Sequence, residues 1–173
     1  MKFAHANSND IPAITSLINR SYRGESSRAG WTTEADLLSG KRIDETRLLQ
    51  LLNETDSLIL IARSDETILA TIHAHREGDS VHFGLFAVEP TQQDRGIGKE
   101  LLAYAESEAV QKWGVSSAIM EVITHRNELI AYYERRGYRN TGKITPFPKS
   151  NLWHQKVDSL ELAELSKRLD TIF

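Results

Sequence analysis

The stretch LFAVEPTQQDRGIGKELLAYAE, residues Leu85 to Glu106, decides how the rest of the chain is read. An apolar run typical of a strand ends at Pro90, a short polar segment follows, and Gly96-Ile97-Gly98 opens a helix. Glycine has no Cβ, so two of them at a helix start let another group come close to the backbone. The first N–H groups of a helix have no partner inside it and sit at the positive end of its dipole. Strand, glycine turn and helix N-terminus together make a seat for a phosphate or pyrophosphate.

The motif is not a common nucleotide fingerprint. A dinucleotide site needs G-x-G-x-x-G with an acidic residue further on, and a P-loop needs G-x-x-x-x-G-K-[ST]. Here a single G-x-G stands, and Lys99 follows Gly98 directly. The pattern Gln93-x-x-Gly96-x-Gly98, after Phe86-Ala87-Val88 and Pro90 and before Leu101-Leu102, resembles the acyl-CoA-binding motif of the GNAT superfamily of N-acyltransferases. The alternative is a glycine turn that only converts a strand into a helix.

A second stretch, AIMEVITHRNELIAYYERRGY from Ala118 to Tyr138, agrees with the first. Ile119 to Ile123 reads as a short buried strand. From Arg126 the pattern turns helical, with Leu129, Ile130, Tyr132 and Tyr133 crowding one side. Gly137 stops that helix, and Arg135 and Arg136 complement the dipole in its last turn. The GNAT resemblance implies an asparagine and a tyrosine with functions on this helix, and they fall at Asn127 and Tyr133. It implies that Tyr133 protonates the departing CoA thiolate; the alternative is a core tyrosine with a local partner. The resemblance further implies that acetyl-CoA is the acyl-donor cosubstrate, contacted by Phe86, Ala87, Val88, Gln93, Asp94, Arg95, Gly96, Ile97, Gly98, Lys99, Asn127 and Tyr132.

Composition is compatible with that reading and narrows the others. The chain has 173 residues, enough for one domain with a real core, and we expect residues 1–173 to form a single GNAT domain. A net charge of −3 gives no reason to expect nucleic acid or a membrane surface as partner. Cysteine is absent, which excludes a disulfide framework, a thiol nucleophile and a cysteine-held metal; no metal is expected. The opening MKFAHANSNDIPAI is too polar for a signal peptide, so a cytoplasmic location is expected. A homodimer is a habit of the superfamily.

Outward from the motif, the chain reads as a first strand in Lys2–Ala6 and a helix from Asp10 with Ile11, Ile14, Leu17 and Ile18. A second helix starts at Asp44, and three strands run over 57–63, 68–75 and 81–88, joined by turns at 64–66 and 77–79. The helix after Gly96 runs to Trp113 with Gly114 as its stop. After Gly137 come a strand over 138–144, the Pro146-Phe147-Pro148 interruption and a last apolar stretch over 157–165. That tail reads as strand or helix on its residues, and the resemblance favours a strand. The fold expected is α/β (α+β): a mixed, mostly antiparallel sheet of about six to seven strands, splayed at the cofactor and flanked by about four helices.

Amine acetylation also needs a proton acceptor, because an amine is mostly protonated at neutral pH. Glu121, on the strand before the Asn127 helix, is the first candidate, with His73, His75 and His82 on the central strands behind it. For the acceptor, the segment 26–42 (SSRAGWTTEADLLSGKR) offers Trp31 as an aromatic wall and Glu34 and Asp36 as acids. The same residues also read as a helix-capping run with Trp31 as a hydrophobic staple. Phe147 and Trp153 are candidates for an opposite wall, and equally for plain core or an oligomer contact. An N-acetyltransferase leads; a non-catalytic acyl-CoA sensor and an unrelated nucleotide-binding domain remain open.

Overall fold

The computed structural model describes residues 1–22, 38–148, 153–155 and 160–169. Trp31, Glu34 and Asp36 lie outside the described residues.

Strand β1 (Lys2–His5) leads into helix α1 (Ile11–Tyr22) through a short turn capped by Asn7. The short strand β2 (Leu38–Gly40) precedes α2 (Glu45–Asn53), whose N-cap Asp44 accepts from the Arg47 N–H. Three antiparallel strands follow: β3 (Ser57–Ser64), β4 (Thr67–Glu77) and β5 (Ser80–Val88). Helix α3 (Ile97–Trp113) ends at Gly114, which is left-handed at φ 64° as a C-terminal glycine should be. Then come β6 (Ser117–Ile123), α4 (Asn127–Arg135), β7 (Arg139–Pro146), β8 (Trp153–Gln155) and β9 (Glu161–Arg168).

Seven strands form one sheet in the order β1-β3-β4-β5-β6-β9-β7, and β2 pairs with β8 in a separate ribbon. All neighbours in the main sheet are antiparallel except β5 and β6, which α3 joins as a parallel pair. The tail is therefore a strand. Leu162 and Leu165 lie opposite Ile123 and Met120, so β6 gains a partner on its far side and the helix-forming sequence yields to sheet pairing. The β2–β8 ribbon has no periodic signature in the sequence, since each strand is only three residues long.

Strand alternation divides the core. Phe86 and Val88 pack with Leu101, Leu102 and Ala105 of α3, while Leu85 and Ala87 face Ile14, Leu17 and Ile18 of α1 and Leu48 of α2. The sheet is thus covered on both faces, and the end of β5 carries buried side chains on each.

Candidate active site

The parallel pairing of β5 with β6 covers only Ser80–Phe83 against Ser117–Met120. Past that point β6 stays bonded to β9 and β5 stays bonded to β4, so the two strands part. A bulge sits where they do. His73 pairs with Gly84 and Thr71 with Ala87, leaving Leu85 and Phe86 opposite Ile72 alone. Leu85 takes a left-handed φ of 48°, unusual for a residue with a side chain.

The last turn of α1 secures the strand beyond the bulge. The Tyr22 hydroxyl donates to the Phe86 carbonyl at 2.7 Å, and the Ser21 hydroxyl donates to the Val88 carbonyl at 2.9 Å. Arg20 adds an ion pair to Glu89 at 2.5 Å. The carbonyls turned out of the ladder by the splay thereby receive donors from the helix.

The opening is a cavity of about 270 Å³. Its walls include Tyr22, Arg42, His82, Phe83, Phe86, Glu121, Arg126, Tyr133 and Phe147. Tyr133 is buried on its wall, with its ring centroid 6.2 Å from Phe86, 5.5 Å from Tyr132 and 6.0 Å from Tyr138. Burial holds the Tyr133 hydroxyl well above the ordinary tyrosine range; the nearby Tyr22 and Tyr132 hydroxyls add to this and Arg126 opposes it. The phenol stays protonated at neutral pH and is a donor there.

The two motif glycines have different roles. Gly96 precedes α3 in a left-handed conformation (φ 77°), with open space where a side chain would project. Gly98 is buried: a Cβ there would lie 3.1 Å from the Tyr132 Oη, 3.2 Å from the Val88 Cγ2 and 3.3 Å from the Phe86 Cζ. Its missing side chain lets α3 approach β5 and α4, so the close approach at Gly98 is made by the chain itself.

Gln93 and Asp94 lie on the 3-10 turn Pro90–Arg95, and Arg95, Gly96 and Lys99 are exposed beside the start of α3. Ile97 is buried against the α3-side core. Asn127 is the exposed first residue of α4. Tyr132 is half-buried under the Arg136 guanidinium, whose carbon lies 4.5 Å from the ring centroid.

The structure separates the candidate bases. Glu121 lines the cavity and accepts from the Thr145 hydroxyl at 3.4 Å. His82 lines it as well, with Nε2 at 3.1 Å from Glu77. His73 bonds to the Ser57 hydroxyl at 2.8 Å, and burial together with His75 pushes its pKa down to about 4. Neither His73 nor His75 is on the cavity wall. Tyr22, and Arg42 at the end of the 26–42 segment, are wall residues that sequence reasoning did not single out, because both reach the splay from parts of the chain far from the motif. Phe147 is on the wall as expected, and Trp153 lies on β8. Among the described residues no cluster of histidine and acidic side chains is suited to holding a metal. No described helix is long and apolar enough to cross a membrane.

Comparison with known proteins agrees with the geometry. An IAA acetyltransferase of Azospirillum brasilense is 30% identical over 101 residues, covering 57% of this chain and 65% of that protein. The chain therefore matches less than two thirds of that relative's length. The ribosomal-protein-S18-alanine N-acetyltransferase of Escherichia coli superposes with a TM-score of 0.73 at 17% identity, over 99% of this chain and 96% of that one. The yncA protein of Salmonella typhimurium, a putative acetyltransferase solved with its cofactor acetyl-CoA, gives 0.70 at 18% identity, over 99% and 95%. At these identities the two structures share the fold. The acetyltransferase (GNAT) family model matches residues 12–138, which includes the splay, the glycine turn and the Tyr133 helix, and the chain belongs to that family.

Proposed function

We propose that this protein is an acetyl-CoA-dependent N-acetyltransferase that acts on a primary amine of a small molecule or protein. The observation that carries this reading is the splay itself, an opening where β5 and β6 part, with Tyr133 on its wall and the α3 N-terminus following β5 in the chain. The family match and the Azospirillum relative support acetyl transfer, and the Salmonella structure supports acetyl-CoA as donor.

The residues present fit that donor. Its pyrophosphate suits the first-turn N–H groups of α3, where Gly96 leaves open space and Lys99 and Arg95 add positive charge. Its acyl arm suits the opening beside Phe86, with Asn127 and Tyr132 on α4. When bound, acetyl-CoA supplies an activated acyl group whose leaving thiolate needs a proton. Tyr133 holds that proton as a neutral phenol and delivers it at the sulfur; Glu121 accepts the proton that the amine nitrogen loses on forming the amide.

Thermal unfolding with acetyl-CoA, with NAD and ATP as controls, and thiol release with an amine panel test this reading. Acetyl-CoA alone should raise the unfolding temperature; at about 100 times Kd the stabilisation is roughly 2.7 kcal/mol. Tyr133→Phe should keep that shift and lose turnover by about 100-fold or more, the usual range for a lost general acid. Equal turnover would remove Tyr133 from the acid role. A sensor module would give the shift with no thiol release.

A further inference from the structure

The ammonium form of a primary amine must lose two protons to become an amide, and the cavity wall carries a second proton acceptor beside Glu121. We propose that His82, oriented by Glu77, removes the first proton before attack and leaves the second to Glu121. The inference rests on the acetyltransferase reading above and deepens it.

Strand alternation brings these groups to one face of the sheet. Val81 and Phe83 on β5, Ile72 and Ala74 on β4, and Met120 and Val122 on β6 all pack in the α3-side core. His82, Glu121, His73 and, further along β4, His75 and Glu77 therefore take the opposite face. His82 pairs with His75 on β4 and with Ile119 on β6, just before the two parallel strands part. Of this group, His82 and Glu121 line the cavity.

Glu77 stands behind the imidazole. Its Oε2 lies 3.1 Å from His82 Nε2, and its Oε1 lies 3.8 Å from His75 Nδ1. A carboxylate only accepts, so the ring proton of neutral His82 belongs on Nε2 and Nδ1 keeps the lone pair. Side-chain exposure rises from 30% at His82 to 59% at Glu77, which gives the proton a way from the wall to water. The other charged and titratable groups nearby are few. Tyr22, Arg42, Arg126 and Tyr133 complete the ionisable groups of the described wall, and Glu164 lies opposite Glu121 on β9. His73 stacks on His75 with centroids 6.4 Å apart, among Glu54 and Arg47 of α2. Burial pushes its pKa down to about 4, so it adds no positive charge beside His75 at neutral pH.

Ordinary acidities set the order of the two steps. An imidazole holds a proton about 100-fold more strongly than a carboxylate, so it is the better base against an alkylammonium. Once the C–N bond forms, the nitrogen is far more acidic and a carboxylate suffices. His82 takes the first proton and releases it to water past Glu77, and the freed nitrogen lone pair forms the C–N bond. As the C–S bond breaks, Glu121 takes the second N–H proton and Tyr133 supplies the thiol proton. Tyr133 is reprotonated as Glu121 gives its proton up, so each turnover releases one H⁺.

The test compares amines that arrive charged with amines that arrive neutral. Thiol release from acetyl-CoA is followed with phenethylamine and benzylamine, which are ammonium ions at neutral pH, and with aniline and phenylhydrazine, which are not. In His82→Gln the ratio of kcat/KM for charged over neutral amines should fall by about 100-fold, within the usual range for a lost general base. Glu121→Gln should slow both kinds alike and leave that ratio in place, because both lose the second proton. With phenethylamine alone, the His82→Gln rate should climb about tenfold per pH unit between about pH 7 and 9, following the neutral amine, while wild type changes little. Glu77→Gln, at the exposed end of β4, should lower the ratio by about 10-fold by favouring the wrong tautomer, and Glu77→Asp should restore part of it. An unchanged ratio in His82→Gln that keeps its thermal shift with acetyl-CoA, or an equal loss with both kinds of amine, overturns the inference and leaves the transferase reading intact. A flat pH profile in that variant does the same. Absence of thiol release from the wild type with every amine removes the transferase reading, and this inference with it.

Discussion

Replacing Gly98 with alanine tests whether the second motif glycine serves the ligand or the fold. The added Cβ would meet the Tyr132 Oη at 3.1 Å, the Val88 Cγ2 at 3.2 Å and the Phe86 Cζ at 3.3 Å. Ordinary carbon contacts lie near ~3.5–4.0 Å, so three neighbours on three elements would each have to retreat by a few tenths of an ångström. Overpacking of this kind costs about 1–3 kcal/mol. Against it stands the helix preference of alanine over glycine, at most about 1 kcal/mol and smaller in a first turn. The crowding wins, with a net loss of about 1–2 kcal/mol. For a chain of this size that lowers the unfolding temperature by about 2–8 °C.

The contact geometry also names the partner. Tyr132→Phe removes the nearest of the three atoms, so Gly98→Ala should cost less in that background. A double-mutant cycle run without ligand should show a relief of about 0.5 kcal/mol or more. Differential scanning calorimetry of the four proteins gives both quantities. A Gly98→Ala protein as stable as wild type, yet lacking the acetyl-CoA shift, would refute the reasoning and return Gly98 to a direct place against the ligand.

Three further outcomes follow from contacts elsewhere in the molecule. Ser21→Ala removes the buried hydroxyl that donates to the Val88 carbonyl, and urea unfolding should show a loss of about 0.5–1.5 kcal/mol; a neutral result would mean that the α1 contact does not secure the splayed strand. His73 has a folded pKa of about 4 against 6.5 unfolded, so the unfolded state takes up the proton first as pH falls. Its contribution is complete above about pH 6.5 and fades toward pH 4, up to about 3 kcal/mol, and His73→Gln should flatten the urea midpoint between about pH 7 and pH 4.5. Glu106 accepts from the Tyr138 hydroxyl at 2.8 Å and the Lys167 ammonium at 2.9 Å, with its own side chain only 13% exposed. Glu106→Ala strands both donors and should lower stability by about 2–4 kcal/mol in the same assay, with Glu106→Gln intermediate; a loss under about 0.5 kcal/mol would show that solvent replaces the pair.

The motif region was legible because its signals are local. A glycine needing left-handed backbone, as at Gly96 and Gly114, and an apolar strand run, as over β3 to β5, are written within a few residues of where they act. What the sequence left obscure depends on distant elements meeting. Arg42 closes the segment 26–42 read for the acceptor, yet nothing singles it out there; Asn19, more than twenty positions earlier, holds its backbone. Histidines alternating along strands look alike in sequence, and only the α2 side of the sheet, with Ser57 and its buried surroundings, removes His73 from the site. The tail illustrates the same limit, since the residues Glu161 to Arg168 form helices readily and became strand only because β6 had an open edge.

Leu85 shows how the site holds a conformation that its own residue disfavours. A side chain in the left-handed region costs about 1–3 kcal/mol, which glycine would avoid. Leucine stands there because its side chain is only 7% exposed within the core under α1 and α2, and such burial contributes about 1.5–3 kcal/mol. That balance alone would leave the bulge close to neutral. The bonds from Tyr22 and Ser21 to the carbonyls of Phe86 and Val88 add about 1 kcal/mol each and tip it. The opening between β5 and β6 is therefore stabilised from the side of α1, not by the glycine turn on which the motif depends. Helix α1 shapes the opening as fully as α3 does: it fixes the strand on one side, while α3 carries the N–H groups to which the proposed function assigns the donor's phosphates.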